Sequence, residues 1–204
     1  MGLVRKQAPE PEATRTLGPD ELVRQLDDPD PERRREAALD LTGVPDAIPE
    51  LLARAGLETE PRARDAVLTT LAGHDTEAVA AGLAVHLASD DAGLRTAVAE
   101  ALATMPRSVP ALLPSLTSAP DHDVRVMTAM VLADLPDPAA RDWLIRMISE
   151  DDHPNVVTAA IDAFLPAATP EHAPVLEAAA RRFPDDPFLQ FTVRAALPRL
   201  AGTA

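Results

Sequence analysis

The sequence predicts an all-α solenoid of about six antiparallel helical hairpins, and three observations predict it. The first is a pair of apolar ladders. One ladder is Leu41, Leu71, Leu102, Leu132, Phe164 and Leu197, in steps of 30, 31, 30, 32 and 33 residues. The other is Leu22, Leu52, Leu83, Leu113, Leu144 and Leu176, in steps of 30, 31, 30, 31 and 32, and the two stay 19 to 21 residues apart. The second observation is an acid-rich, mostly proline-bearing insert between the members of each pair. The third is composition: almost half the residues are apolar, yet the chain has one Trp, four Phe and no Tyr, so its core is built from Ala, Leu, Val and Ile. A hairpin of about thirty residues cannot bury its own apolar face, and stacking neighbours removes that deficit. At 204 residues one domain suffices, because roughly 70% of the unfolded surface is buried at this size.

The units follow in order. The first runs from Leu22 through DDPDPE to Leu41, the second from Leu52 through LETEP to Leu71, and the third from Leu83 through ASDDAG to Leu102. The fourth runs from Leu113 through APDHD to Leu132, the fifth from Leu144 through EDDHP to Phe164, and the sixth from Leu176 through FPDDP to Leu197. Each insert starts a helix: Asp accepts hydrogen bonds from the free N–H groups of a first turn, and its charge complements the helix dipole. Pro31, Pro61, Pro154 and Pro187 fall where a first helical residue would stand, at no cost in backbone hydrogen bonds. Arg34, Arg64, Arg95 and Arg125 recur seven residues before their ladder positions, with Val157 and Gln190 in the last two units. Four residues ahead stand Asp30, Glu60, Asp91, Asp121, His153 and Asp186. Such an acid can pair with its own Arg, or with the next unit's Arg across the stack. Small residues in RTAVAEALATM and VRAALPRL allow neighbouring helices to approach closely. Residues 1–17 are rich in Pro, Glu and Thr and lack apolar periodicity, so a flexible tail is expected there and the solenoid over 18–204.

The pattern acid–x–x–x–Arg–x–x–Ala–Ala–x–Ala–Leu, written most clearly as DAGLRTAVAEAL and DHDVRVMTAMVLADL, resembles the HEAT-repeat family over about residues 18–201. The short period is similar to the phycobilisome-lyase type. The resemblance implies a right-handed superhelix whose second helices line a concave face, and a non-enzymatic scaffold or adaptor that binds a protein there. The alternative it implies is a bilin-lyase-like subunit whose groove holds a chromophore-bearing partner. A deep apolar groove with an Arg able to meet a propionate would favour that alternative, and a shallow polar groove the adaptor. HEAT-like deoxyhypusine hydroxylases bind iron through His-Glu dipeptides, and this chain has only the reversed Glu171-His172. HEAT-like DNA glycosylases resemble basic clamps, which this composition does not match.

The formal charge of −14 opposes a nucleic-acid backbone. No stretch approaches eighteen uninterrupted apolar residues, so no membrane span is expected, and the opening MGLVRKQAPEPEATRTLGPD lacks the apolar run of a secretory signal. A cytoplasmic location and a monomer are the expectations. The chain has no Cys, which excludes disulfides and thiolate metal sites. His74, His86, His122, His153 and His172 show no i, i+4 pair on one helix and are expected mostly as exposed turn residues. No phosphate loop or nucleophile elbow is present, so no catalytic residue, metal or cofactor is expected.

The expected partner surface is therefore the outward stripe of the second helices. It reads Arg35 and Leu39, Asp65 and Thr69, Thr96 and Glu100, Val126 and Met130, Thr158 and Asp162, Phe191 and Ala195. Met127, Met130 and Met147 fit either core filling or an adaptable docking patch. Trp143, at the start of the fifth first helix, is a further candidate anchor or a half-buried outer residue. Acids lining the turn edge would steer a basic partner or simply keep the chain soluble.

Overall fold

The computed structural model describes residues 17–202. These form twelve α-helices: α1 (Pro19–Gln25), α2 (Pro31–Asp40), α3 (Ile48–Ala55), α4 (Pro61–Ala72), α5 (Glu77–Ala84), α6 (Ala92–Ala103), α7 (Val109–Leu116), α8 (His122–Asp134), α9 (Ala140–Glu150), α10 (Pro154–Phe164), α11 (Ala173–Arg182) and α12 (Pro187–Ala201). Short 3-10 turns precede α3 and α11 and follow α5 and α10. No strand occurs among the described residues. Odd-numbered helices are the first members of the six hairpins and even-numbered helices the second. Each even helix packs on the next, from α2 to α12, while the odd layer packs closely at α3–α5, α5–α7 and α9–α11. The chain is an all-α solenoid of two layers.

The inserts start helices as the sequence predicts. Pro31, Pro61, Pro154 and Pro187 each open an even helix. The carboxylates of Asp30, Asp91, Asp121 and Asp186 accept the N–H of Glu32, of Gly93 and Leu94, of Asp123 and of Leu189, and His153 Nδ1 accepts that of Asn155. Glu60 is the exception, for its side chain does not cap α4.

Between the layers lies one continuous core. Ladder residues Leu41, Leu71, Leu83, Leu102, Leu113, Leu132, Leu144, Phe164 and Leu176 are buried in it, as is Leu22. Leu52 and Leu197 are only half-buried. In α3 the core position belongs to Leu51. Leu52 lies instead against α5, where a Cβ on Gly82 would stand 2.9 Å from both its methyl carbons, so a glycine is what admits it. In α12 the core positions belong to Ala196 and Leu200. The expected flexible tail falls outside the described residues except for Leu17, which packs half-buried against the core.

Candidate functional site

The edge formed by the six inserts is organised by one column, six residues before each Arg position. Arg34 donates to the carbonyl of Asp28 at 2.8 Å, Arg64 to that of Glu58 at 3.0 Å, and Arg125 to that of Ala119 at 2.8 Å. Arg95 donates likewise to Ser89. The side chains of that column turn the other way: Asp28, Glu58, Ser89 and Asp151 accept the N–H of the residue two ahead. Glu58 and Asp151 also take the Arg of the preceding unit, in two-pronged pairs of 2.7 and 2.8 Å with Arg34 and of 2.8 and 3.1 Å with Arg125. Ser89 is too short for that, so Arg64 reaches Asp91 at 2.7 Å. The side chain of Ala119 offers no acceptor, and Arg95 has no carboxylate partner among the described residues.

Two expectations about this edge are corrected. Asp30 and Asp121 cap their helices and do not pair with the Arg four ahead, because Arg34 and Arg125 turn back to the carbonyls of Asp28 and Ala119. Across the stack the acids meet the preceding unit's Arg and not the next unit's: Glu58 meets Arg34, Asp91 meets Arg64 and Asp151 meets Arg125, Glu58 and Asp151 standing two residues before Glu60 and His153. In the fifth unit Val157 leaves the carbonyl of Asp151 unmet, and Arg182 of α11 supplies the missing guanidinium. It donates to Asp151, to Ile148 at 2.9 Å and to Ser149 at 2.7 Å, covering the free carbonyls at the end of α9.

This edge is electrostatically settled. The hydrogen bond from Arg34, with help from Arg54, holds the buried Glu58 carboxyl down at about 2 against burial, which alone would raise it. At the opposite edge, in the loop between the second and third hairpins, burial works against Asp75 as well, but hydrogen bonds from Ser108 and Arg107 outweigh it and keep its carboxyl below the ordinary range. Asp75 adopts a left-handed φ of 40°, which Asp tolerates, and from there accepts Ser108 Oγ at 2.6 Å and the N–H groups of Arg107 and Ser108 at the start of α7. Nothing in the sequence reading singled out Asp75; its partners lie more than thirty residues on.

The second-helix face is different in character. Two adjoining clefts open on it, of about 520 Å³ between α2 and α4 and about 500 Å³ between α4 and α6, and Asp65 and Thr69 line both. Glu32, Arg35, Leu39 and Arg62 also line the first, and Glu100 with a floor of Leu68, Ala72, Ala97 and Ala101 the second. The structure thus joins Asp65, Thr69 and Glu100 of the predicted stripe. Thr96 is exposed on α6 outside these clefts, and Met130, Asp162, Phe191 and Ala195 are exposed further along the stack, with Val126 half-buried. Thr158 is the exception at 3% exposure. Its helix α10 packs along both α8 and α12, and a side chain as short as threonine's does not reach out of that seam. Met127 and Met147 are core residues, whereas Met130 stays 42% exposed.

Trp143 lies in the other layer. It is half-buried on α9 under the guanidinium of Arg146, 4.6 Å from the ring centre, and lines a cleft of about 600 Å³ between α7 and α9 with Pro114 and Met147. The histidines are not the exposed turn residues expected: all five are half-buried. His122 and His153 stack at 3.9 Å across neighbouring units, His172 meets the edge of Phe164, and the ring of His86 covers Gly56, where burial pushes its pKa down. Among the described residues no group of three or more His, Asp or Glu is placed to hold a metal ion, and no helix is long and apolar enough to cross a membrane.

Fold and edge together define a stacked helical-repeat protein with charge-locked seams and one broad open face. The family model for HEAT repeats matches residues 19–103 and 109–197, and the chain belongs to the HEAT-repeat family. Two crystal structures of engineered proteins from the Northeast Structural Genomics Consortium are similar to it, each at 19% identity. One gives a TM-score of 0.36, covering 90% of this chain and 96% of the other. The second gives 0.40, covering 91% and 99%. No curated protein matches the chain.

Proposed function

We propose that this chain is a non-catalytic protein-interaction scaffold that holds its partner on the second-helix face. The observation that carries the reading is where apolar surface is left open. Of the six large apolar residues that remain exposed, Leu39, Met130, Phe188 and Phe191 lie on second helices. Leu57 and Val85 lie elsewhere. Apolar side chains held at fixed spacing on a rigid stack are what a docking surface needs, since they supply contact area without an ordering cost at binding. The clefts on this face, of which Leu39 lines one, are shallow and rimmed by charge, which supports an adaptor rather than a groove holding a chromophore.

A photo-reactive residue placed at Thr69 or at Met130, irradiated in extract of the cells the chain comes from, is expected to give a discrete protein adduct. The same probe at Val85, exposed beside the first-helix layer, is expected to give none. Adducts at Val85 alone would move the partner to the opposite layer and end this reading.

A further inference from the structure

We infer that the segment docking on the second-helix face is basic, with cations spaced to meet Asp65, Glu100 and Asp162 and an apolar side chain between them that rests on Val126 and Met130. This rests on the reading of that face as protein-binding and adds the chemistry of what it binds.

The argument is one of charge already spent and charge left over. On the turn edge Glu58 is neutralised within the molecule by Arg34 and Arg54, Asp91 by Arg64 and Asp151 by Arg125, while Asp30, Asp121 and Asp186 are engaged as helix caps; at the opposite loop edge Asp75 is met by Arg107. On the open face Asp65, Glu100 and Asp162 have no ion pair among the described residues, and Arg35, the nearest cation of the stripe, is held by Glu32 at 2.6 Å. Arg62 stands only at the α2–α4 end. Asp162 is also partly desolvated, which raises its pKa with no cation to offset the cost. These carboxylates alternate with apolar surface rather than standing in a solvated cluster: along the stack α4 and α6 present acid, α8 presents Val126 and Met130, and α10 presents acid again.

The geometry then sets a spacing. Packed helices lie about 8–10 Å apart, and an extended chain advances about 3.3 Å per residue. A segment crossing the face passes one helix for about every three residues. The matching pattern is cation, cation, apolar, cation at i, i+3, i+6 and i+9. Complementary charge of this kind fixes register and excludes acidic partners more than it adds raw affinity.

The test is fluorescence anisotropy of the full chain with labelled synthetic peptides of about twelve residues, Ser and Thr at the free positions. The first carries Lys at i, i+3 and i+9 and Leu at i+6; the second has the same composition with its three Lys contiguous; the third has Glu for Lys. Exposed pairs are individually weak and add up only when all three are in register, so the first peptide is expected to bind about tenfold more tightly than the second. The triple variant Asp65→Asn, Glu100→Gln, Asp162→Asn is expected to lose that advantage, as is the wild type at high salt. Equal binding of the first two peptides, an unchanged affinity in the triple variant, or preference for the Glu peptide would each overturn the inference. A protein adduct at Met130 with no binding of the basic peptide would overturn this chemistry and leave the scaffold reading intact, whereas adducts at Val85 alone would remove both.

Discussion

Glu58 is the side chain on which most of the edge converges. It is 1% exposed, accepts two-pronged bonds from Arg34, two more from Arg54, and the N–H of Glu60. A buried carboxylate is tolerable only with its oxygens this fully engaged. Its folded pKa of about 2 lies below the ordinary 4.5, so the sign is fixed. The stabilisation is whole above pH 4.5 and is lost as pH falls from there towards 2. Discounted for screening at the protein edge, the effect is about 1–2 kcal/mol. Glu58→Gln keeps the shape and removes the charge, and urea unfolding followed by circular dichroism at pH 7 is expected to show a loss of about that size. Between pH 4.5 and 3 the difference from wild type should shrink. A constant difference across that range would show that Glu58 acts through packing alone.

At the scale of the helix pair, the seams obey a rule that residue identities hide. The column six before each Arg reads Asp28, Glu58, Ser89, Ala119 and Asp151, which no pattern search would group. Its constant contribution is a backbone carbonyl, and every residue supplies one. That is why the Arg column and the acid-rich inserts were legible in the sequence, while the choice of Glu58 over Glu60 was not. The same limit applies to Thr158, whose register matches the exposed Asp65 and Thr96 but whose burial is decided by the helices on either side. Periodicity fixes which way a side chain points and says little about how tall its neighbours stand. The exchange between Val157 and Arg182 tests the rule. Arg182→Ala uncovers three carbonyls at the end of α9 and is expected to cost about 1–2 kcal/mol, with faster amide exchange confined to α9, α11 and α12. Adding Val157→Arg in the same chain places a guanidinium six residues after Asp151 and should recover part of the loss. No recovery would mean that Arg182 acts by packing α11 on α9 and not by covering carbonyls.

For the molecule as a whole, stability in a stack is close to a sum of units and the seams between them, so the weakest seam decides where it opens. Charge locks join the first unit to the second through Arg34, the second to the third through Arg64, and the fourth to the fifth through Arg125, while Arg182 joins the sixth to the fifth. Between the third and fourth units the corresponding Arg95 meets only its own unit's Ser89, because Ala119 offers no carboxylate. The even helices α6 and α8 still pack there, and at the opposite loop edge Asp75 ties the start of α5 to the start of α7 through Ser108 and Arg107, so it is on the insert edge alone that this seam lacks a charge lock. Native-state hydrogen exchange should therefore resolve two cooperative blocks, α1–α6 and α7–α12, separating at this seam before either unfolds. Ala119→Glu lies 24 residues after Arg95, the offset of Glu58 from Arg34, and would present a carboxylate both to Arg95 and to the N–H of Asp121. It is expected to add about 0.5–1 kcal/mol and to merge the two exchange blocks into one. If the added acid leaves the blocks separate, apolar packing rather than the charge lock sets cooperativity along the stack, and the locks at the other seams serve to fix register.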